Sequence, residues 1–205
     1  MNGKTHQLVG LTGAVLASTF MLKSGNFAAY DCIATIAMSS VGSLLPDIDH
    51  TGSTVGKRMA ILSYPIKGLS KMFSFFYNKT KWKIFDKISE MFSHRGIFHS
   101  PLFWALIFIP MFLFIPPAIA VEWIRPLVVA GIIGLAVGVG LHMFADMLNP
   151  TGIPLLMPIF NHKFSIGKIV TGSKAEIVFK VIVIFAFLIS CCLGIFSLKG
   201  VLYAI

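Results

Sequence analysis

Five apolar blocks dominate this chain, at residues 8–22, 27–45, 102–121, 127–148 and 177–198, and only Asp31, Asp146 and Lys180 place a formal charge inside them. A helix needs about 20 mostly apolar residues to cross a bilayer. The last three blocks have that length; the first reaches it only if residues 5–7 join it. Charged residues are 12% of the chain, against roughly 25% in soluble domains. So little charge cannot clothe a globule of 205 residues in polar surface. An ordinary soluble enzyme, a disordered segment and a disulfide-stapled secreted domain are excluded. The cysteines, Cys32, Cys191 and Cys192, are odd in number and lie in apolar stretches, which suggests core or lipid-facing thiols. The expected fold is all-α: one integral-membrane domain over residues 1–205, a multi-pass bundle of about five transmembrane helices.

Within the blocks, Pro110, Pro116 and Pro117 should kink or end the third helix. Gly134 and Gly138 form a small-xxx-small pair that lets a second backbone come close. The first block could also read as a signal peptide led by Lys4. Its small residues Gly10, Ala14 and Ala17 suit a packed helix better.

The net charge of +9 is unevenly spread. Residues 46–100 hold Lys57, Arg58, Lys67, Lys71, Lys79, Lys81, Lys83, Lys87 and Arg95, and residues 149–176 hold Lys163, Lys168 and Lys174. The alternate loops hold Lys23 and Arg125. By the positive-inside rule both basic segments face the cytoplasm. Residues 57–92 are basic and aromatic: Trp82, Phe85, Ile88 and Phe92 fall at helical spacing among Lys81, Lys83 and Lys87. This predicts an amphipathic interfacial insertion that meets membrane lipids and anionic head groups. Single-stranded nucleic acid is the less favoured partner, since membrane segments flank the insertion on both sides.

The chemistry gathers where this topology puts the cytoplasmic helix ends. His6 opens the first helix, and Pro46-Asp47-Ile48-Asp49-His50 ends the second. His94-Arg95-Gly96-Ile97-Phe98-His99-Ser100 opens the third, and His142 and Asp146 share a face in the last turns of the fourth. Five imidazoles and three carboxylates, His6, Asp47, Asp49, His50, His94, His99, His142 and Asp146, make an N/O ligand set without thiolate. Such a set suits zinc first, and manganese or iron as well. Eight groups exceed one four-coordinate ion and suit two or more. A buried His–Asp network that merely ties helices together is the plain alternative, but ionisable groups at a bilayer edge are costly. Arg95 offers a phosphate-binding guanidinium, and one aspartate, Asp49 among them, could orient water. Ser100 before Pro101 reads as a helix N-cap. Asn149-Pro150 stops the fourth helix.

These pieces, with Thr5-His6, His142-xxx-Asp146 and Asn149-Pro150 in that order over residues 5–150, resemble the YdjM-like family of membrane-bound metal-dependent hydrolases. The family is thought to be distantly similar to zinc-dependent phospholipase C and the zinc single-strand nucleases, which are all-helical. The resemblance implies a bacterial inner-membrane hydrolase acting on a phosphoester at the cytoplasmic face. The eight His and Asp residues would hold divalent metal, and Arg95 and Asp49 would serve catalysis. A non-catalytic metal-binding protein or a cation transporter is the rival from another class.

Overall fold

A computed structural model describes residues 1–50, 52, 53, 57 and 60–202; Arg58, counted above among the basic residues, lies outside them. The described chain holds seven α-helices and no large sheet. Helix α1 is Gly3–Lys23 and α2 is Ala29–Gly42. A 3₁₀ turn, Leu45–Asp49, follows. Helices α3, Ala60–Thr80, and α4, Lys83–Met91, make up the insertion. A second 3₁₀ turn, Ile97–His99, leads into α5, Pro101–Ala118. Helix α6 is Ile124–Met147 and α7 is Lys174–Leu202. Between them Ile153–Pro154 (β1) pairs antiparallel with Lys163–Phe164 (β2).

Among the described residues, three helices are long and apolar enough to cross a membrane: α5, α6 and Lys174–Ile195 of α7; the expected five are not confirmed. Helix α1 takes in residues 5–7 as expected, but its Thr, Ser, His and Gln content keeps it less apolar. The second block breaks: α2 ends at Gly42 and Pro46 starts a 3₁₀ turn, so the helix has 14 residues. At 1.5 Å per residue it is about 21 Å long, short of the ~30 Å hydrocarbon core. Both shorter or more polar helices pack inward. Helix α2 lies along α6, and α1 packs against α2, α6 and α7. The approach to α6 is backbone to backbone. A Cβ on Gly134 would stand 2.3 Å from the Thr35 carbonyl, and one on Gly138 2.2 Å from that of Ser39. Any larger residue would push α2 off α6. Apolar side chains of α5 and α7, such as Leu113, Phe114, Ile182 and Phe185, face outward as a lipid-facing surface requires.

Two local expectations change. The insertion is a helical hairpin rather than one helix. Ser70 and Ser89 exchange hydroxyl-to-carbonyl hydrogen bonds of 3.0 Å, and Phe85 packs on Phe73 and Phe76. Part of its aromatic face is therefore spent internally, while Trp82 stays exposed. Ser100 occupies the N-cap position, but its hydroxyl bonds the Leu155 and Met157 carbonyls instead of the helix. It fastens α5 to the loop beneath α6. That loop also closes the end of α6: Ile166 and Ile169 N–H donate to the Met147 and Leu148 carbonyls. These are carbonyls a helix terminus otherwise leaves bare. The C-terminal end of α6 is thus held rigid beside both 3₁₀ turns.

Candidate metal centre

Four chain segments converge at one end of the bundle. Asn2 caps α1, accepting the Thr5 N–H at 3.0 Å and the Thr5 hydroxyl at 2.9 Å, which sets His6 in the first turn. Pro46 tightens the 3₁₀ turn that carries Asp47 and Asp49. Arg95 adopts a left-handed φ of 61°, which is uncommon for a non-glycine residue and clusters at functional sites. That bend re-aims the chain so that His94, Arg95 and His99 reach the same spot. The last turns of α6 add His142 and Asp146.

The centre is a ring of four donors. His99 Nε2 stands 3.6 Å from Asp47 Oδ1 and 3.4 Å from Asp146 Oδ2. His142 Nε2 stands 3.8 Å and 3.6 Å from the same two oxygens. These separations exceed a hydrogen bond of about 2.7–3.2 Å. Donors about 2.1 Å from a tetrahedral ion stand roughly 3.4 Å apart, so the ring has the spacing of a ligand shell. His6 Nε2 adds a further position, 3.5 Å from Asp146 Oδ1, with its ring stacked 3.9 Å from that of His142. Asp146 therefore turns one oxygen to the ring and the other towards His6.

Burial makes the spacing costly. His6, His99, His142 and Asp146 are buried, and His142 Nε2, both nitrogens of His99 and Nδ1 of His6 have no hydrogen-bond partner. Each unsatisfied buried polar group costs about 1–3 kcal/mol. A divalent cation satisfies lone pairs aimed at one point, so the residues fit such an ion.

The groups behind the ring orient it. His142 Nδ1 donates to the Ser43 carbonyl at 2.7 Å, which leaves a lone pair on Nε2. Asp49 meets the Nδ1 of two imidazoles, His94 at 3.1 Å and His99 at 3.6 Å. Arg95 donates to Asp146 Oδ1 at 3.0 Å and also contacts Thr151. Thr151 is in turn held by the side chain of Asn149. Electrostatics agree. Burial would raise Asp47 and Asp49, but the imidazoles beside them hold both below the usual carboxylate range. Burial opposes charge on His99, yet Asp146, Asp47 and Asp49 outweigh it and raise its pKa to about 10. Three carboxylates at this spot demand positive charge.

All nine residues singled out from the sequence lie in this assembly, in layers. Asp47, His99, His142, Asp146 and His6 form the buried centre; Asp49 stands behind it; Arg95, His50 and the partly exposed His94 stand towards the mouth. A cavity of about 250 Å³ opens onto His6, Asp47, His50, His94, Arg95 and Asp146. Sequence reasoning missed Ser43 and Thr151. It also missed Glu176, buried at the start of α7, which accepts hydrogen bonds from Asn2 N–H, the Thr5 hydroxyl and Gly172 N–H. The only signal for Glu176 was an acid at the head of an apolar run.

The profile of a family described as YdjM inner membrane protein matches residues 1–203. The chain belongs to the YdjM inner membrane protein family. Among its relatives, inner membrane protein YdjM of Escherichia coli (strain K12) is 29% identical over 158 residues, 77% of this chain and 66% of that protein. The Bacillus subtilis (strain 168) protein named uncharacterized protein YvsG is 28% identical over 158 residues, 77% of this chain and 74% of its own length. No solved structure matches the chain. Family membership and the three long apolar helices make this a membrane protein of the YdjM family, with a His/Asp cluster suited to metal at one end of its bundle.

Proposed function

We propose that this YdjM-family protein is a metal-dependent hydrolase of a phospholipid-like phosphoester, acting at the cytoplasmic membrane face. The observation that carries the reading is the ring of His99, His142, Asp47 and Asp146, whose neighbouring donor atoms lie 3.4–3.8 Å apart with both imidazole Nε2 atoms unpartnered. A bound divalent ion would supply Lewis-acid polarisation of a phosphoryl oxygen and a more acidic water. Zinc suits the donor set first; a second ion would fall to His6 and Asp146 Oδ1, the oxygen that Arg95 also holds.

The chain's own residues then divide the work. Ser43 fixes the tautomer of His142, which keeps its Nε2 lone pair turned inward, and the Asp49 carboxylate stands 3.6 Å behind His99 Nδ1. Arg95 holds Asp146 in place with one nitrogen and contacts Thr151 with another, and its side chain lines the cavity, where its charge can offset growing phosphoryl charge. His50 and His94 line that mouth and can carry a proton to or from the leaving group. Twelve basic residues in segments 46–100 and 149–176 support the cytoplasmic placement of this end.

The test is elemental analysis of the purified full chain, followed by turnover on a panel of phosphomonoesters and phosphodiesters, lipid and soluble. The reading expects stoichiometric divalent metal, and turnover that chelation abolishes and metal restores. Bound metal without turnover on any ester favours a metal-binding or transport protein instead. Labelling of Lys79→Cys from outside intact cells overturns the cytoplasmic placement.

A further inference from the structure

The loop between α6 and α7 carries a surface that neither the metal centre nor the helix packing uses. Leu156, Ile159, Phe160, Phe164, Ile166 and Val170 are each 41–62% exposed. Large apolar side chains exposed together in one short stretch mark a face for protein or membrane. Lys163, Lys168 and Lys174 lie among and beside them, and all three are exposed. The one acid in residues 149–176, Glu176, is buried and accepts hydrogen bonds from Asn2, Thr5 and Gly172. The exposed charge of this loop is therefore positive.

Hydrogen bonds fix how deep the loop sits. At the head of α5 the Ser100 hydroxyl donates to the Leu155 and Met157 carbonyls, and Leu102 N–H donates to the Leu155 carbonyl at 3.3 Å. At the end of α6 the Met147 and Leu148 carbonyls accept from Ile166 and Ile169 N–H, both at 2.9 Å. At the start of α7 Glu176 accepts from Gly172 N–H at 2.6 Å. These are the three helices long and apolar enough to cross a membrane. The loop backbone is thus pinned across the same-side ends of all three, which is the level of the lipid head groups. Within the loop, Leu155, Leu156, Phe160, His162 and Phe164 line a cavity of about 270 Å³ whose walls, His162 apart, are hydrocarbon.

We propose that residues 155–170 are an interfacial anchor that binds anionic phospholipid of the leaflet at the metal-centre end of the bundle. The apolar side chains enter the boundary between head groups and acyl chains. Lys163, Lys168 and Lys174 hold lipid phosphate from above it. Lipid is the occupant because the three helices already set the loop against the bilayer, so contact costs no separate association. A protein partner would first have to displace that lipid. Thr151 of the same loop contacts Arg95, so the anchor also holds the metal centre at head-group depth. The proposal stands apart from the reaction at that centre.

The experiment reconstitutes the full chain in vesicles of phosphatidylcholine and phosphatidylglycerol. Photoreactive benzoylphenylalanine replaces Ile159 or Phe160, and Leu113 on the lipid-facing side of α5 serves as reference. Mass spectrometry identifies what each position captures on illumination. Positions 159 and 160 should capture lipid as readily as position 113. Phosphatidylglycerol should exceed its bulk share among the adducts at 160 by at least ~2-fold. Lys163→Gln/Lys168→Gln/Lys174→Gln should return that share to the bulk value while total lipid capture persists. Capture of a second copy, or no lipid adduct at 159 and 160 while 113 labels, overturns the anchor. A bulk share of phosphatidylglycerol with the lysines present overturns the selection for anionic lipid, as does an excess that survives in the triple variant. None of these outcomes depends on metal content or turnover, so the hydrolase reading stands or falls separately.

Discussion

At the metal centre His99 and His142 expose none of their surface and Asp146 only 2%, whereas α4 of the insertion buries no residue and Trp82 stays 64% exposed. Both regions are polar in sequence and both flank apolar helices. They differ in what surrounds each polar group. In the insertion, Lys83 and Lys87 of α4 reach water. At the centre, His6, His99, His142 and Asp146 are buried, and several imidazole nitrogens have no hydrogen bond. Buried ionisable groups of that kind are retained for a ligand, while exposed basic ones serve to attract a surface.

The sharpest way to break this contrast is to remove a buried ligand. His142→Ala and Asp146→Ala should each lose metal and turnover together, by more than the ~10–100-fold expected for residues behind the ligands. The helices should persist, because α2 and α6 are joined through Gly134 and Gly138 rather than through the ring. Elemental analysis beside turnover and helix content checks this. Full metal occupancy in both variants would leave only a His–Asp packing network.

Residues one layer out should fail in different ways. Arg95→Ala should lose rate by ~10²-fold or more with metal largely retained, since its guanidinium lines the cavity and acts on developing charge. Its 3.0 Å bond to Asp146 adds a small loss of metal affinity. Asp49→Asn should weaken metal affinity by ~10–100-fold with stoichiometry intact, because Asp49 meets imidazole Nδ1 atoms rather than the ring's centre. If Asp49→Asn empties the site as Asp146→Ala does, Asp49 is a ligand and the layered arrangement is wrong.

A smaller effect is expected from Glu176, which ties the head of α7 to the N-terminal turn of α1 and so to His6. In Glu176→Gln the amide N–H₂ has to face a backbone N–H, of Asn2 or Gly172, that now donates to a carboxylate oxygen. Stability should fall by about 1–3 kcal/mol, with metal bound more weakly because Thr5 and His6 loosen together. Thermal unfolding with and without added metal checks it; an unchanged midpoint in both conditions removes Glu176 from the support of the site.

How much of this was legible in the sequence depends on whether a feature is local. The layout of apolar runs, the Gly134/Gly138 contact and the convergence of four helix ends follow from composition and spacing, and the structure bears them out. All nine site residues were chosen by residue type alone. Their ranking was not visible, because His94 and His99 look alike in sequence while one is partly exposed and the other fully buried. Which apolar runs cross the membrane was not visible for the same reason: α1 and α2 pack against α6 or α7, and the length of a run does not separate burial in protein from burial in lipid. Glu176 and Ser43 act across 171 and 99 positions, to Thr5 and His142 respectively, a distance that no local pattern encodes.

The smallest effect on the centre should come from the insertion's outer lysines, and it sharpens the contrast best. Lys81, Lys83 and Lys87 lie at and beyond the turn between α3 and α4, and none lines the cavity next to the metal site. Charge reversal at these three should weaken binding of the full chain to vesicles rich in anionic lipid by about 1 kcal/mol per residue at low salt. The loss should shrink as salt is raised, because exposed charges are screened over about 10 Å at 0.1 M. Metal content should not change. If reversal at Lys81, Lys83 and Lys87 strips the metal, the insertion shapes the centre itself and the division between a buried ligand-holding region and an exposed surface-seeking one does not hold.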